Sequence, residues 1–276
     1  ISWQHDPNNP VLDIGSSEFR DPKVIKIDDK KWLMLVARSR DHCIDFYISK
    51  DLRSWSLQSV FEDCSFKIGA WECPDLVKLE QNGQTYWVLI LSVDDGFDSG
   101  GSGTLYIIGQ LIDGCFSADK SAMGNKDYLL LDKGPDFFAP QSFFSQDEDE
   151  LPIIMGWFNN WKYAISMPDS NLPMMQSVPR TLALKAFENG QIRLAQVPAA
   201  KYEKTLKKIV LISTILEHKS KRIEGLISGC FDCSIHYPAD TKANYKFEIY
   251  SHDALLLQLT VDNLNGNVEI SRNCSG

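Results

Sequence analysis

Apolar residues in this chain come in short runs of strand length, each closed by a turn signal, and the runs recur as a unit. Three times a proline opens a short stretch: Phe19-Arg20-Asp21-Pro22-Lys23-Val24-Ile25, Trp71-Glu72-Cys73-Pro74-Asp75-Leu76-Val77 and Phe137-Phe138-Ala139-Pro140-Gln141-Ser142-Phe143-Phe144. The start of a strand tolerates proline because the missing N–H costs little there. A second apolar run follows each opening, around Trp32, Trp87 and Trp157. A third comes next: DFYISK before Asp51, TLYIIGQLI before Asp113 and TLALKAF before Asn189. Asp28-Asp29-Lys30, Asn82-Gly83, Asp113-Gly114 and Asn189-Gly190 lie between such runs and predict hairpins. The units occupy roughly residues 19–62, 70–118 and 136–197. Their starts are roughly 50 to 65 residues apart, a period that predicts a β-propeller or a similar array of small sheets.

The flanks read differently. Residues 1–18, with Trp3, Pro7, Pro10 and Val11-Leu12, suggest an outer strand and a connector. Residues 199–222 combine good helix formers with a cluster of lysines and predict a linker helix. Beyond it, IEGLISGCFDCSIHY, YKFEIYS, ALLLQLTVD and NVEISR alternate like sandwich strands. The expectation is therefore an all-β protein in three parts. Residues 1–198 form about three blades of a propeller, 199–222 a linker helix, and 223–276 a partial β-sandwich.

Propeller blades are radial, so residues at equivalent strand starts converge on one end of a central channel. That symmetry would bring Asp21 and Glu72, read as equivalent in the repeat, into one funnel. Paired carboxylates there are the equipment for cleaving glycosidic bonds. Other features offer less. Asp94-Asp95-Gly96-Phe97-Asp98-Ser99-Gly100-Gly101-Ser102-Gly103 lacks the Gly-Lys-Ser/Thr of a phosphate loop, the terminal Glu of a calcium loop and the G-x-S-x-G of a nucleophile elbow. It reads as a mobile loop at the funnel mouth. Asp147-Glu148-Asp149-Glu150 reads as a solvated turn. Cys230 and Cys233, with His236 beyond, sit on a strand pattern that turns Cys233 to the opposite face, so no metal site is expected.

A net charge of −9 argues against nucleic acid or an anionic membrane as partner and is neutral toward sugars. The longest apolar runs, such as WVLILSV, are far too short to span a bilayer as a helix. Seven cysteines form no regular framework and settle no redox compartment. The chain opens on Ile1-Ser2-Trp3-Gln4, which reads as a processed protein or a fragment.

At Phe19-Arg20-Asp21-Pro22, Trp71-Glu72-Cys73-Pro74-Asp75-Leu76, Phe138-Ala139-Pro140-Gln141-Ser142-Phe143, Gly156-Trp157-Phe158-Asn159-Asn160-Trp161 and Ser177-Val178-Pro179-Arg180, the chain resembles glycoside hydrolase family 32. These are the invertases, levanases, inulinases and related β-fructofuranosidases. The resemblance implies a five-bladed propeller joined to a C-terminal β-sandwich, and a chain truncated at both ends. It implies retaining cleavage of terminal β-fructofuranosyl bonds in sucrose, a fructan or sucrose phosphate, with neither metal nor organic cofactor. Glu72 would be the general acid/base and Asp21 the stabiliser of the transition state, with Arg20, Trp71 and Cys73 binding substrate around them. The family's nucleophile belongs to a Trp-Met-Asn-Asp-Pro-Asn-like motif that does not occur here. His5-Asp6-Pro7-Asn8-Asn9 echoes it, but too close to Asp21 for a blade to intervene. The chain alone is therefore expected to be inactive. An open array would also leave blade edges exposed and favour self-association. A non-catalytic fructan-binding homologue, a fructosyltransferase and a related five-bladed furanosidase are the alternatives.

Overall fold

The middle strands of the repeats are near-continuous apolar runs, the pattern of a strand covered on both faces. The computed structural model describes residues 2–143, 151–166, 175–200, 242–251 and 254–272. Its first compact unit, Ile1–Lys207, contains three antiparallel sheets in succession. Blade 1 runs β1 (Phe19–Asp28), β2 (Lys31–Arg38), β3 (Cys43–Ser49) and β4 (Ser56–Phe61) in spatial order. Blade 2 is β5 (Trp71–Gln81), β6 (Gln84–Val93), β7 (Gly103–Ile112) and β8 (Cys115–Ala118), with β9 (Leu129–Leu130) sharing the outer edge of β7. Blade 3 is β10 (Phe138–Ser142), β11 (Ile153–Trp157), β12 (Arg180–Ala186) and β13 (Ile192–Pro198).

The hairpins form where their turn residues allow. Asn82 and Gly83, and likewise Asp113 and Gly114, all take positive φ. That is the requirement of a tight two-residue turn whose twist matches the strands. At Asn189-Gly190 only the glycine is left-handed, and Gly190 N–H donates to Phe187 O at 2.9 Å, giving a longer loop.

One apolar core runs through all three blades. Leu33, Leu35, Ile44 and Phe46 pack from blade 1, Leu89, Ile90, Ile107 and Ile108 from blade 2, and Phe137, Ile154, Leu182 and Leu194 from blade 3. Burying each such side chain contributes about 1.5–3 kcal/mol. On the other face of blade 1, Met34, Val36 and Tyr47 are covered by Leu12, Phe19 and Trp55. Residues 2–18 are thus a connector laid against this face, without the outer strand expected there among them. Pro7 and Pro10 lack the N–H groups a strand ladder needs.

The second unit, Lys208–Gly276, shows β14 (Asn244–Ser251), β15 (Ala254–Asp262) and β16 (Asn267–Arg272) as one antiparallel sheet. The architecture is all-β, a partial propeller followed along the chain by sandwich-like strands. The expected linker helix beyond Ala200, the strand around Cys230 and Cys233, and the acidic turn at Asp147 lie outside the described residues.

Candidate active site

Strand registers decide which segments share an end of the array. Phe19 pairs with Arg38, and Arg38 with Cys43. Trp71 pairs with Val93, and Val93 with Gly103. Phe138 pairs with Trp157. The starts of β1, β5 and β10 therefore lie at one end, together with segments 39–42, 94–102 and 158–162.

At each start the same distortion occurs. Asp21, Cys73 and Ala139, each the residue before the proline, adopt φ of 58°, 49° and 50°. Each lies within a register shift: Arg20 to Lys23, Glu72 to Asp75, Phe138 to Gln141. A left-handed non-glycine residue costs about 1–2 kcal/mol, and a following proline normally favours extended backbone. The bulge also cancels the strict alternation of faces. Consecutive residues Arg20 and Asp21 consequently touch consecutive residues Glu72 and Cys73.

This corrects the sequence reading by one position. Asp21 is level with Cys73 and Ala139, whereas Glu72 is level with Arg20 and Phe138. The Asp21 charge still reaches Glu72, because Asp21 is held on Cys73, the next residue along β5. Asp21 Oδ2 accepts the Cys73 N–H at 2.9 Å, with the Cys73 Sγ at 3.6 Å. Arg20 Nη1 donates to Glu72 Oε1 at 3.2 Å, while its Nη2 donates to Glu18 Oε2 at 2.6 Å and to Ser17 O at 3.3 Å. Burial holds the Glu72 carboxyl above the ordinary range, and the Asp21 and Asp94 charges add to that. Arg20 opposes the rise. Burial first, then Asp21 and Glu72, push the Cys73 thiol up to about 12.

Trp71 is placed differently from the expectation of a substrate contact. It is 0% exposed, donates Nε1–H to Phe66 O at 3.0 Å and meets His42 edge-on. It anchors the start of β5 from within the core. Asp6 pairs with Arg53 beyond β3, at the end of blade 1 where Trp32 pairs with Ser49. That is the end opposite Asp21.

Sequence reasoning passed over several groups. Asp94 accepts the Ala70 N–H and pairs with Arg40. With Asp95, Gly101, Trp161 and Lys162 it lines an open cleft of about 450 Å³. Trp161, 47% exposed, is backed by Trp157 and Phe138. The loop read as mobile is fastened by the buried Asn160. Its amide donates to the carbonyls of Gly100, Ser102 and Pro135 and accepts the Ser102 N–H. Behind the bulges, Lys23 of blade 1 pairs with the fully buried Asp75 of blade 2 at 3.1 Å. Both bind Ser142 of blade 3.

Comparison with known proteins places this arrangement. The model of the glycosyl hydrolases family 32 N-terminal domain matches residues 1–198. A levanase of Bacillus subtilis (strain 168) is 32% identical across all of this chain and 41% of its own length. An invertase of Wickerhamomyces anomalus is 29% identical over 96% of this chain and 54% of its own. Among solved structures, the fructofuranosidase from Schwanniomyces occidentalis complexed with fructose superposes with a TM-score of 0.62. It is 32% identical, covering 70% of this chain and 38% of that one. The chain thus spans roughly half or less of these relatives. On the match over residues 1–198, the chain belongs to glycosyl hydrolase family 32.

Proposed function

We propose that this chain carries the acid/base and stabilising carboxylates of a retaining β-fructofuranosidase acting on terminal fructosyl units of sucrose, sucrose phosphate or a fructan. The observation that carries the reading is the half-buried Glu72 carboxyl beside Asp21, at the convergent ends of two inner strands. A carboxyl held above its ordinary range stays protonated long enough to serve as an acid. Glu72 gives its proton to the leaving oxygen as the glycosidic bond breaks, then takes one from water in the second step. Asp21, with Oδ2 anchored on the Cys73 N–H, offers Oδ1 to the ring hydroxyls and to the positive charge that develops on the sugar. Arg20 and Cys73 hold these two groups in place, and Trp71 fixes the strand beneath them. The domain division proposed here is a propeller part over residues 1–198, a linker over 199–222 and a sandwich part over 223–276.

The attack on the anomeric carbon needs a third carboxylate, and the family's nucleophile motif is absent from residues 1–276. Asp6 lies at the wrong end of blade 1 to supply it. The chain by itself should therefore release no fructose at a useful rate, since losing a nucleophile costs on the order of 10⁴-fold or more. Leu57 on β4 and Val197 on β13, both more than half exposed, support self-association through the outer strands.

The test is fructose release from sucrose and levan by residues 1–276, alone and joined to an upstream segment bearing the Trp-Met-Asn-Asp-Pro-Asn motif. Release only by the joined chain supports the reading. Growth of fructan chains in place of fructose release would mean a transferase. Fructan binding without turnover in the joined chain would overturn the catalytic assignment in favour of a binding homologue.

A further inference from the structure

Arg20 lies between two carboxylates and divides its fork between them. A guanidinium facing one carboxylate normally closes on it through two parallel N–H···O bonds. Here Nη2 is taken by Glu18 Oε2 at 2.6 Å and by Ser17 O at 3.3 Å, leaving Glu72 one longer bond from Nη1 at 3.2 Å. Glu18 precedes β1 by one residue, and its side chain is 37% exposed, so it belongs to no part of the core. It makes none of the contacts assigned above to substrate.

We infer that Glu18 is a positioning residue: by holding Arg20 it prevents the guanidinium from closing on Glu72 through both nitrogens. The inference deepens the acid role proposed for Glu72 and rests on it. A bidentate Arg20 would favour the ionised carboxylate, the wrong state for giving up a proton. With the fork divided, Glu72 keeps a single moderating bond. The other groups facing Glu72 are Asp21 on β1, Cys73 on its own strand, and Asp94 after β6. Asp94 is itself occupied by Arg40 and the Ala70 N–H, and Arg38 by Asp41 and Asp45, so the single Nη1 bond from Arg20 is the arginine contact left to Glu72 among the described residues. Burial and these anions then keep Glu72 above the ordinary carboxylate range.

The experiment is a carbon-13 carboxyl NMR titration of the full 276-residue chain, with the Glu72 signal assigned by its loss in Glu72→Gln. Glu18→Gln should lower the Glu72 midpoint by about half a pH unit or more, about threefold in the protonated-to-ionised ratio at fixed pH. In an Arg20→Gln background the same substitution should move it by less than roughly 0.2 unit, because no fork remains to be released. Arg20→Lys, which keeps the charge without the fork, gives a second background and should reduce the shift likewise. An unchanged or raised midpoint in Glu18→Gln would overturn the inference. So would an equal drop in both Arg20 backgrounds, which would reduce Glu18 to a distant charge. The readout is protonation, not turnover. Failure of the hydrolysis assay therefore leaves this result standing, and failure here leaves the assignment of the fructosidase intact.

Discussion

Asp75 carries the strongest prediction about what holds the site together. Its carboxylate is fully buried. Oδ1 meets the Lys23 ammonium at 3.1 Å and the Leu76 N–H at 2.8 Å, and Oδ2 accepts the Ser142 N–H. Lys23, 16% exposed, has only Ser142 O and Oγ as further partners among the described residues. Asp75→Ala strands a half-buried cation and orphans two backbone donors. Breaking a buried pair costs about 3–5 kcal/mol, and each orphaned N–H about 1–3 kcal/mol. These penalties overlap, so about 4–6 kcal/mol is expected, against a stability of about 5–15 kcal/mol for a whole domain. Lys23→Met should cost less, about 2–3 kcal/mol, because the carboxylate keeps both backbone donors. Urea unfolding followed by tryptophan fluorescence reads this unit alone, since all seven tryptophans lie within residues 1–207. At an m-value of about 2–3 kcal/mol/M the midpoint for Asp75→Ala should fall by about 2 M. A loss below about 1 kcal/mol, or a Lys23→Met variant as damaged as Asp75→Ala, would refute the reasoning.

Three further outcomes follow from the bulges and their neighbours. Ala139→Gly relieves a left-handed alanine and should stabilise by about 1 kcal/mol, seen as a melting temperature about 2–4 °C higher; a lower one would mean the bulge is unstrained. The Cys73 thiol, pushed up to about 12, should have a thiolate fraction of about 10⁻⁴ at pH 8. Peptide mapping after brief iodoacetamide treatment should accordingly find the exposed Cys115 labelled and Cys73 untouched. The raised Glu72 means the folded chain binds more protons than the unfolded one above about pH 4.3, so its contribution to stability falls as pH rises through that window. Relative to the parent chain, Glu72→Gln should then be more stable at pH 7 than at pH 4 by urea midpoint, and the opposite trend would contradict the raised value.

Much of this was legible in the chain. The spacing of the Pro22, Pro74 and Pro140 units, the apolar middle strands and the Asn-Gly and Asp-Gly turns reported three successive small sheets, because each is a local signal of period two punctuated by turn chemistry. Asp21 and Glu72 were visible as carboxylates bound for one end. Their exact pairing was not, because a bulge before each proline adds a residue that no alternation pattern records. Trp71 was misplaced for a related reason: flanking an acid in sequence does not distinguish the funnel from the core. The roles of Asn160, Asp75 and Asp94 depend on partners 24 to 67 residues away, contacts that only the closed array creates.

The most direct test of the central claim compares leaving groups in a chain supplied with the nucleophile segment. Sucrose needs its departing oxygen protonated, whereas an aryl fructoside with a nitrophenol leaving group does not. Glu72→Gln should cut kcat/KM for sucrose by about 10²–10⁴-fold and leave formation of the fructosyl intermediate from the aryl fructoside nearly unchanged. Equal loss on both substrates would contradict Glu72 as the acid.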